Sequence, residues 1–386
     1  MAERLGYYKD LEKGSFWIHA VSVGEVQAAF PMVKAMGNAA SCSALLSTIT
    51  PTGRCMARKL LGDSVRLIYY PWDAPWVVKR ALDRISPRAY IAVETEVWPN
   101  LLYGLKKRNI PAFLANARFS ERSFKKALKH RKLWCSLLEN FRKIMARTEA
   151  DSKRFIEIGV RPDKVVVTGD CKIDALLARR QAVDVEGLKK KLNLEGSKVL
   201  LAGSTHEGEE DVALDAFSRL TYKGNKVRLI LVPRHPQRAK KLASEAASKT
   251  EKRVALLSQM QRDWEIIIVD QVGVLFELYG VVDAAFIGGS LVPKGGQNIL
   301  EPAAWGVPIQ HGPFMDDFYE ASRELIRLSS ARVVRTAEEL ASEWEEILNE
   351  KSFGEVRRPQ ARAYVENLGG AALRNWKIIK ESMIQE

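Results

Sequence analysis

Cysteine and histidine are scarce, four and five among 386 residues. Cys42, Cys55, Cys135 and Cys171 form no CxxC pair, which leaves zinc ribbons and thioredoxin-type chemistry without support and fits reduced thiols of a cytosolic protein. No run of about 18 apolar residues occurs, so no segment is expected to cross a bilayer as a helix. The opening MAERLGYYKDLEKGS lacks a secretory pattern. No GxxxxGK[ST] phosphate loop is present. No His, Cys and Asp cluster has ligand spacing, so neither a metal nor a cofactor is expected. Repeats and low-complexity tracts are missing too. Negative charge is the last shortage. Asp and Glu number 47 against 60 Lys and Arg, a net +13, which points to a polyanionic partner: nucleic acid, an anionic membrane face or phosphorylated substrates.

What is present is an α/β rhythm. Strand-like runs at Phe16–Val21, Ser43–Ile49, Val65–Tyr69, Ala89–Val93 and Ala112–Ala115 alternate with helical stretches. The rhythm restarts at Lys198–Ala202, Val227–Val232, Glu265–Val269, Ala284–Ile287 and Val307–Ile309. Short apolar strands separated by helices predict parallel sheets covered on both faces. The charged, strand-free stretch between the two sets reads as helix plus linker and predicts a boundary: a first domain over 1–175, a linker over 176–196, a second domain over 197–371, and a final helix over 372–386 packing back on the first.

Ligands of doubly wound sheets bind beyond the carboxyl ends of strands, and polar motifs sit there. Glu25, in Ser22-Val23-Gly24-Glu25, is either a helix cap or a carboxylate placed to take a proton from a hydroxyl. His19, inside a strand, reads as a packing residue. Glu94 and Glu96 of Glu94-Thr95-Glu96 would point the same way on an extended chain, as hydroxyl ligands or as a polar helix start. Gly203–Glu210 fits an anion site at a helix N-terminus or a plain capping box. Arg234, between Pro233 and His235-Pro236, suits a phosphate or carboxylate ligand. In the block from Gly288-Gly289-Ser290 to Asn298-Ile299-Leu300-Glu301, glycines allow close backbone approach and amides aimed at an anion, and Asn298 and Glu301 share a helical face where a carboxylate can grip ribose hydroxyls. Arg118–Arg147 carries ten Lys and Arg against two Glu, with Phe119, Phe124, Trp134 and Phe141 interleaved. It predicts a basic helix with an apolar face, directed at an anionic surface. No helix-turn-helix, RNP-type aromatic pattern or zinc module supports nucleic acid as partner.

Taken together, HAVSVGE (19–25), TITPTGR (48–54), VETEVWPNL (93–101), ANARFSERS (115–123), STHEGEE (204–210), LILVPRHPQR (229–238) and FIGGSLVPKGGQNILEPAAWGVP (286–308) closely resemble the Kdo (3-deoxy-D-manno-octulosonic acid) transferases of lipopolysaccharide synthesis. The resemblance implies a GT-B glycosyltransferase, an α/β protein of two Rossmann-like domains facing across a cleft. It implies CMP-Kdo as donor, a phosphorylated lipid A precursor of the lipid IVA type as acceptor, inverting chemistry and no metal. Glu25 falls on the family's general base. Pro233, Arg234, Val272, Gly273, Val274, Asn298, Ile299, Leu300 and Glu301 fall on its CMP contacts. The family often carries Glu where this chain has Val274, which leaves backbone contacts at Val272 and Gly273. Amides of Gly288, Gly289 and Ser290 are expected to hold the leaving phosphate. Arg54, Glu94, Arg118 and Lys294 are weaker candidates for the acceptor or the Kdo carboxylate. The family works at the cytoplasmic face of the bacterial inner membrane, usually behind an N-terminal anchoring segment. This chain opens after that segment, so soluble or peripheral behaviour at an anionic membrane surface is expected.

Overall fold

In the computed structural model, residues 1–9, 11–37, 43–260, 263–349 and 351–384 are described, and Cys42 lies outside them. The chain forms two compact units, one of residues 1–178 with 368–386, the other of residues 179–367.

The first unit is built on seven parallel strands: β1 (Phe16–His19), β2 (Ala44–Thr48), β3 (Arg66–Tyr69), β4 (Ala89–Val93), β5 (Ala112–Ala117), β6 (Phe141–Ala146) and β7 (Val165–Val167). They run in the order β3-β2-β1-β4-β5-β6-β7. Every residue of β1, β4 and β5 is buried, because helices cover both sheet faces and leave no solvent side for polar alternation. One face packs Trp17, Tyr90, Leu114 and Phe141. The other packs Ile18, Ile91 and Phe113 against Val26 and Met32 of the helix Val23–Gly37.

The helix Ala371–Ile384 belongs to this unit although it comes last in the chain. Ala371, Ala372, Asn375, Trp376 and Ile379 recur at helical spacing and are buried. Asp174 anchors its start by accepting the Gly370 and Ala372 N–H groups at 2.5 and 2.8 Å, and Trp376 meets Phe16 edge-on at 5.1 Å.

The second unit repeats the plan with β8 (Lys198–Thr205), β9 (Val227–Pro233), β10 (Val254–Leu256), β11 (Ile266–Ile268), β12 (Ala284–Ile287), β13 (Ile309–His311) and β14 (Ala331–Val333). The order is β10-β11-β9-β8-β12-β13-β14, all parallel. Each sheet has one topological switch point, between β1 and β4 in the first unit and between β8 and β12 in the second. The loops leaving those four strands are where a ligand crevice is expected.

Four strands were not read from the sequence. In β6, Arg142 and Lys143 interrupt the apolar run, while β7, β10 and β14 are three residues long with few fully buried positions. The last strand of the second set, read as Val307–Ile309, begins at Ile309, because Pro308 has no N–H to give to a ladder. The predicted linker over 176–196 is largely helical, Cys171–Gln181 followed by Val185–Lys191.

The basic segment Arg118–Arg147 is not one helix. It comprises the helices Glu121–Lys129 and Arg131–Leu138 and the strand β6. Its aromatic side chains face inward: Phe119 and Phe141 are buried, and Phe119 packs on Phe155 and Trp134 at 4.9 and 5.6 Å. Arg122, Lys125, Lys126, Lys129, Arg131 and Lys132 remain on the surface as a charged face without the apolar stripe. Among the described residues no helix is long and apolar enough to cross a membrane.

Trp376→Ala should cost the first unit about 3–5 kcal/mol, the range for emptying a fully packed aromatic site. Urea unfolding followed by circular dichroism measures it, and a loss below about 1 kcal/mol would show that the last helix contributes little to this core.

Candidate active site

In the first unit the switch point gathers three carboxylates. The loop after β1 is fixed by Thr50, whose hydroxyl donates to the Val21 carbonyl at 3.1 Å while accepting the Gly53 N–H at 3.0 Å, so TITPTGR opens one helix and braces the loop that opens another. A Cβ on Gly53 would lie 3.0 Å from the Val21 carbonyl oxygen, which explains the glycine there. Glu25 stands in the first turn of the helix Val23–Gly37 and folds back on its own loop. The Val21 N–H donates to Oε2 at 2.7 Å and the Ser22 hydroxyl to Oε1 at 2.9 Å. Its capping role is therefore real, yet two donors leave part of the carboxylate's accepting capacity open. Burial raises its pKa and the nearby Glu94 adds to that, against the Val21 and Ser22 hydrogen bonds and Lys172.

Glu94 leaves β4 in the left-handed region, φ 62°, so Glu94 and Glu96 are not the simple extended pair that the sequence predicts. Glu94 receives Arg118 Nε at 3.0 Å and Lys172 Nζ at 2.7 Å. Among the described residues Glu96 receives only the Trp98 indole, at 3.0 Å. Burial first, then the charge of Glu25, pushes its pKa up to about 7. Lys172 was missed from the sequence because it lies 78 residues from Glu94, inside an unremarkable helical stretch.

His19 is a packing residue. It is fully buried and stacked on Tyr70 at 3.9 Å, and burial pushes its pKa down to about 3. Arg54 pairs with Glu3 at 3.2 Å, donates to the Leu67 carbonyl and lies over the Tyr69 ring.

In the second unit Pro233, Arg234, Val272, Gly273 and Glu301 line one cavity of about 250 Å³, together with Arg179, Ser204 and Phe276. Arg234 is exposed at the end of β9. Gly273 has φ 90°, a conformation that favours glycine, and its carbonyl accepts Arg179 Nη2 at 2.8 Å. Arg179 also lies over the Phe276 ring at 4.6 Å. It too was missed, since it falls in the stretch read as linker. Asn298, just before the helix Leu300–Trp305, accepts the Leu300 N–H at 3.1 Å, and its amide donates to Glu301 at 3.3 Å. Burial raises the Glu301 pKa against the opposing influence of Arg179 and that hydrogen bond. Ile299 is fully buried and Val274 half-buried, while Lys294 is exposed. A larger cavity of about 390 Å³ lies at the amino ends of β1 and β2, against Ser15 and Ser43, and none of the predicted site residues lines it.

One expectation is overturned. The Gly289 and Ser290 amides are not open to a phosphate, because both donate to the carboxylate of Glu209, at 2.7 and 2.9 Å. Ser290 is fully buried and its hydroxyl bonds the Ile287 carbonyl. Gly288 is a contact glycine, since a Cβ there would lie 2.4 Å from the Ser204 carbonyl oxygen. Among the described residues no group of His, Cys, Asp and Glu is arranged to hold a metal ion.

This pair of doubly wound sheets is the GT-B class of fold. A UDP-GlcNAc 2-epimerase from Neisseria meningitidis shares it, at 15% identity and a TM-score of 0.65, over 96% of this chain and 100% of that one. Sequence carries the assignment further. The family model for 3-deoxy-D-manno-octulosonic-acid transferase (kdotransferase) matches residues 1–175. The 3-deoxy-D-manno-octulosonic acid transferase of Haemophilus influenzae is 34% identical over 92% of this chain and 84% of its own length. That of Aquifex aeolicus is 30% identical over 92% and 93%. The chain belongs to the Kdo transferase family, and so to the glycosyltransferases.

The raised Glu96 pKa has a definite sign. The folded state holds this proton more tightly than the unfolded chain, so the stabilisation is fully present below about pH 4.5 and is lost as pH rises through about 7. Glu96→Gln, neutral throughout, should match the wild type at pH 5 and exceed it at pH 8 by roughly 1–2 kcal/mol once partial exposure is allowed for, or about 2–8 °C in Tm. Thermal melts at the two pH values test this, and an equal difference at both would refute it.

Proposed function

We propose that the chain is an inverting transferase that moves Kdo from CMP-Kdo to a phosphorylated lipid A precursor of the lipid IVA type, in lipopolysaccharide synthesis at the cytoplasmic face of the inner membrane. The observation that carries the donor half is the cavity of the second unit, where Arg234 and Glu301 line one space with the Val272-Gly273 turn. A guanidinium suits a phosphate, and a partly desolvated carboxylate held by Asn298 suits ribose hydroxyls. Its 250 Å³ is near the lower end of small-ligand sites.

The acceptor half rests on Glu25. An acceptor hydroxyl attacks the anomeric carbon of Kdo, a new C–O bond forms, and the bond from that carbon to the CMP phosphate oxygen breaks. CMP leaves with the electron pair, and the hydroxyl proton passes to the Glu25 carboxylate. Raising the pKa of Glu25 makes it a stronger base for this step, provided that it stays ionised at working pH. Lys172, which also pairs with Glu94, supplies positive charge that favours ionisation of Glu25. The exposed basic face from Arg122 to Lys132 is the element we assign to the anionic membrane surface.

Incubation with CMP-Kdo and a lipid A precursor, followed by mass measurement of the lipid, should reveal the addition of Kdo. An unchanged lipid mass would overturn the reading. Glu25→Gln should lower transfer by about 10²–10⁴ with the CMP dissociation constant unchanged. Transfer at the wild-type rate by that variant would remove the assigned role of Glu25.

A further inference from the structure

The STHEGEE segment (204–210) ends in two buried glutamates. Glu210 accepts Arg238 at 2.8 Å and the Thr205 hydroxyl at 3.1 Å. Glu209 is different, because its listeners are all backbone. Its Oε2 accepts the His206 and Gly289 N–H groups at 2.8 and 2.7 Å, and its Oε1 those of Ser290 and Leu291, each at 2.9 Å. Four converging amides at the switch point between β8 and β12 form the kind of nest that commonly receives a ligand anion. Here the protein supplies the anion itself.

Two short backbone routes lead from this carboxylate to the cavity. On one side, the Thr205 carbonyl, next to His206, accepts the Arg234 N–H at 2.9 Å. On the other, the Gly289 carbonyl accepts the Gly296 N–H at 2.9 Å and the Gly288 carbonyl that of Gln297 at 3.1 Å, one residue before Asn298. The two loops also touch through backbone at Gly288.

We propose that Glu209 is a positioning residue of the nucleotide cavity, an internal anion that clamps the loops 203–208 and 288–297 together and so sets the spacing of Arg234 and Glu301. The proposal rests on the donor reading above and extends it.

Replacing Glu209 by Gln puts an NH2 group where an oxygen now accepts two amides, with little change in shape. Glu209→Gln should raise the dissociation constant for CMP, measured by isothermal titration, by about tenfold or more. It should raise KM for CMP-Kdo by a similar factor and leave kcat within about threefold. Ile347→Ala, in the core of the same unit but on the helix Ala337–Asn349, serves as a control at a matched loss of Tm. The proposal is overturned if Glu209→Gln binds CMP within twofold of the wild type, or if Ile347→Ala weakens binding equally. If the wild type binds no CMP, the donor reading falls by itself, and amide hydrogen exchange decides the clamp. Faster exchange over 229–238 and 286–301 in Glu209→Gln supports it, and unchanged exchange removes it.

Discussion

A parallel sheet covered by helices on both faces has no polar surface of its own, so whatever the protein does to a ligand must be done where strands end. Here β1, β4, β5 and β12 are buried along their whole length. Chain directions at a switch point diverge and leave room between loops. Some backbone strain falls in the same places. Three non-glycine residues with positive φ stand at the carboxyl ends of strands: Glu94 after β4, Asn116 in β5 and Ser204 in β8. Such conformations cost on the order of 1–3 kcal/mol each and persist where surrounding bonds enforce them. The Asn116 carboxamide accepts the Cys171 N–H at 2.8 Å, and the Glu94 carboxylate is gripped by two cations.

Charge at the first switch point is arranged unevenly. Glu94 takes two cations, Lys172 and Arg118, whereas among the described residues Glu96 has only an indole and Glu25 only a backbone amide and a hydroxyl. Three ionised carboxylates at close quarters repel one another, and two cations on one of them cannot neutralise all three. Burial first, and then this repulsion, raises the proton affinity of the pair without direct counter-charges, Glu25 and Glu96.

Much of this was legible because the fold writes itself as apolar runs, and the runs end at polar motifs. β4 and β12 were read with their observed bounds, and β1, β2, β3 and β5 to within two residues. Pro233, Arg234, Gly273 and Glu301, drawn from three separate segments, meet in one cavity. What was illegible is long-range or weakly patterned. Lys172 and Arg179 are ordinary cations in helical stretches, and only the folded chain brings them to Glu94 and Gly273. β6 hid behind Arg142 and Lys143, which made a strand and two helices look like one basic helix. The glycine block misled in a subtler way. Its amides do converge on a carboxylate, but on that of a glutamate 80 residues earlier rather than on a ligand.

The two switch points thus each hold a glutamate in the first turn of the helix that follows the unit's first strand, Glu25 in one and Glu209 in the other. Their positions in the fold correspond, so position alone does not tell them apart. The count of donors does. A carboxylate offers about four acceptor sites. Glu209 gives them to four backbone amides and is 1% exposed, which leaves no direction from which a substrate proton could arrive. Glu25 gives two, stays half-buried, and has its pKa raised by the same burial that would strengthen it as a base. One structural rule, an acid at the start of the helix after the first strand, has been spent on architecture in the second unit and left chemically open in the first.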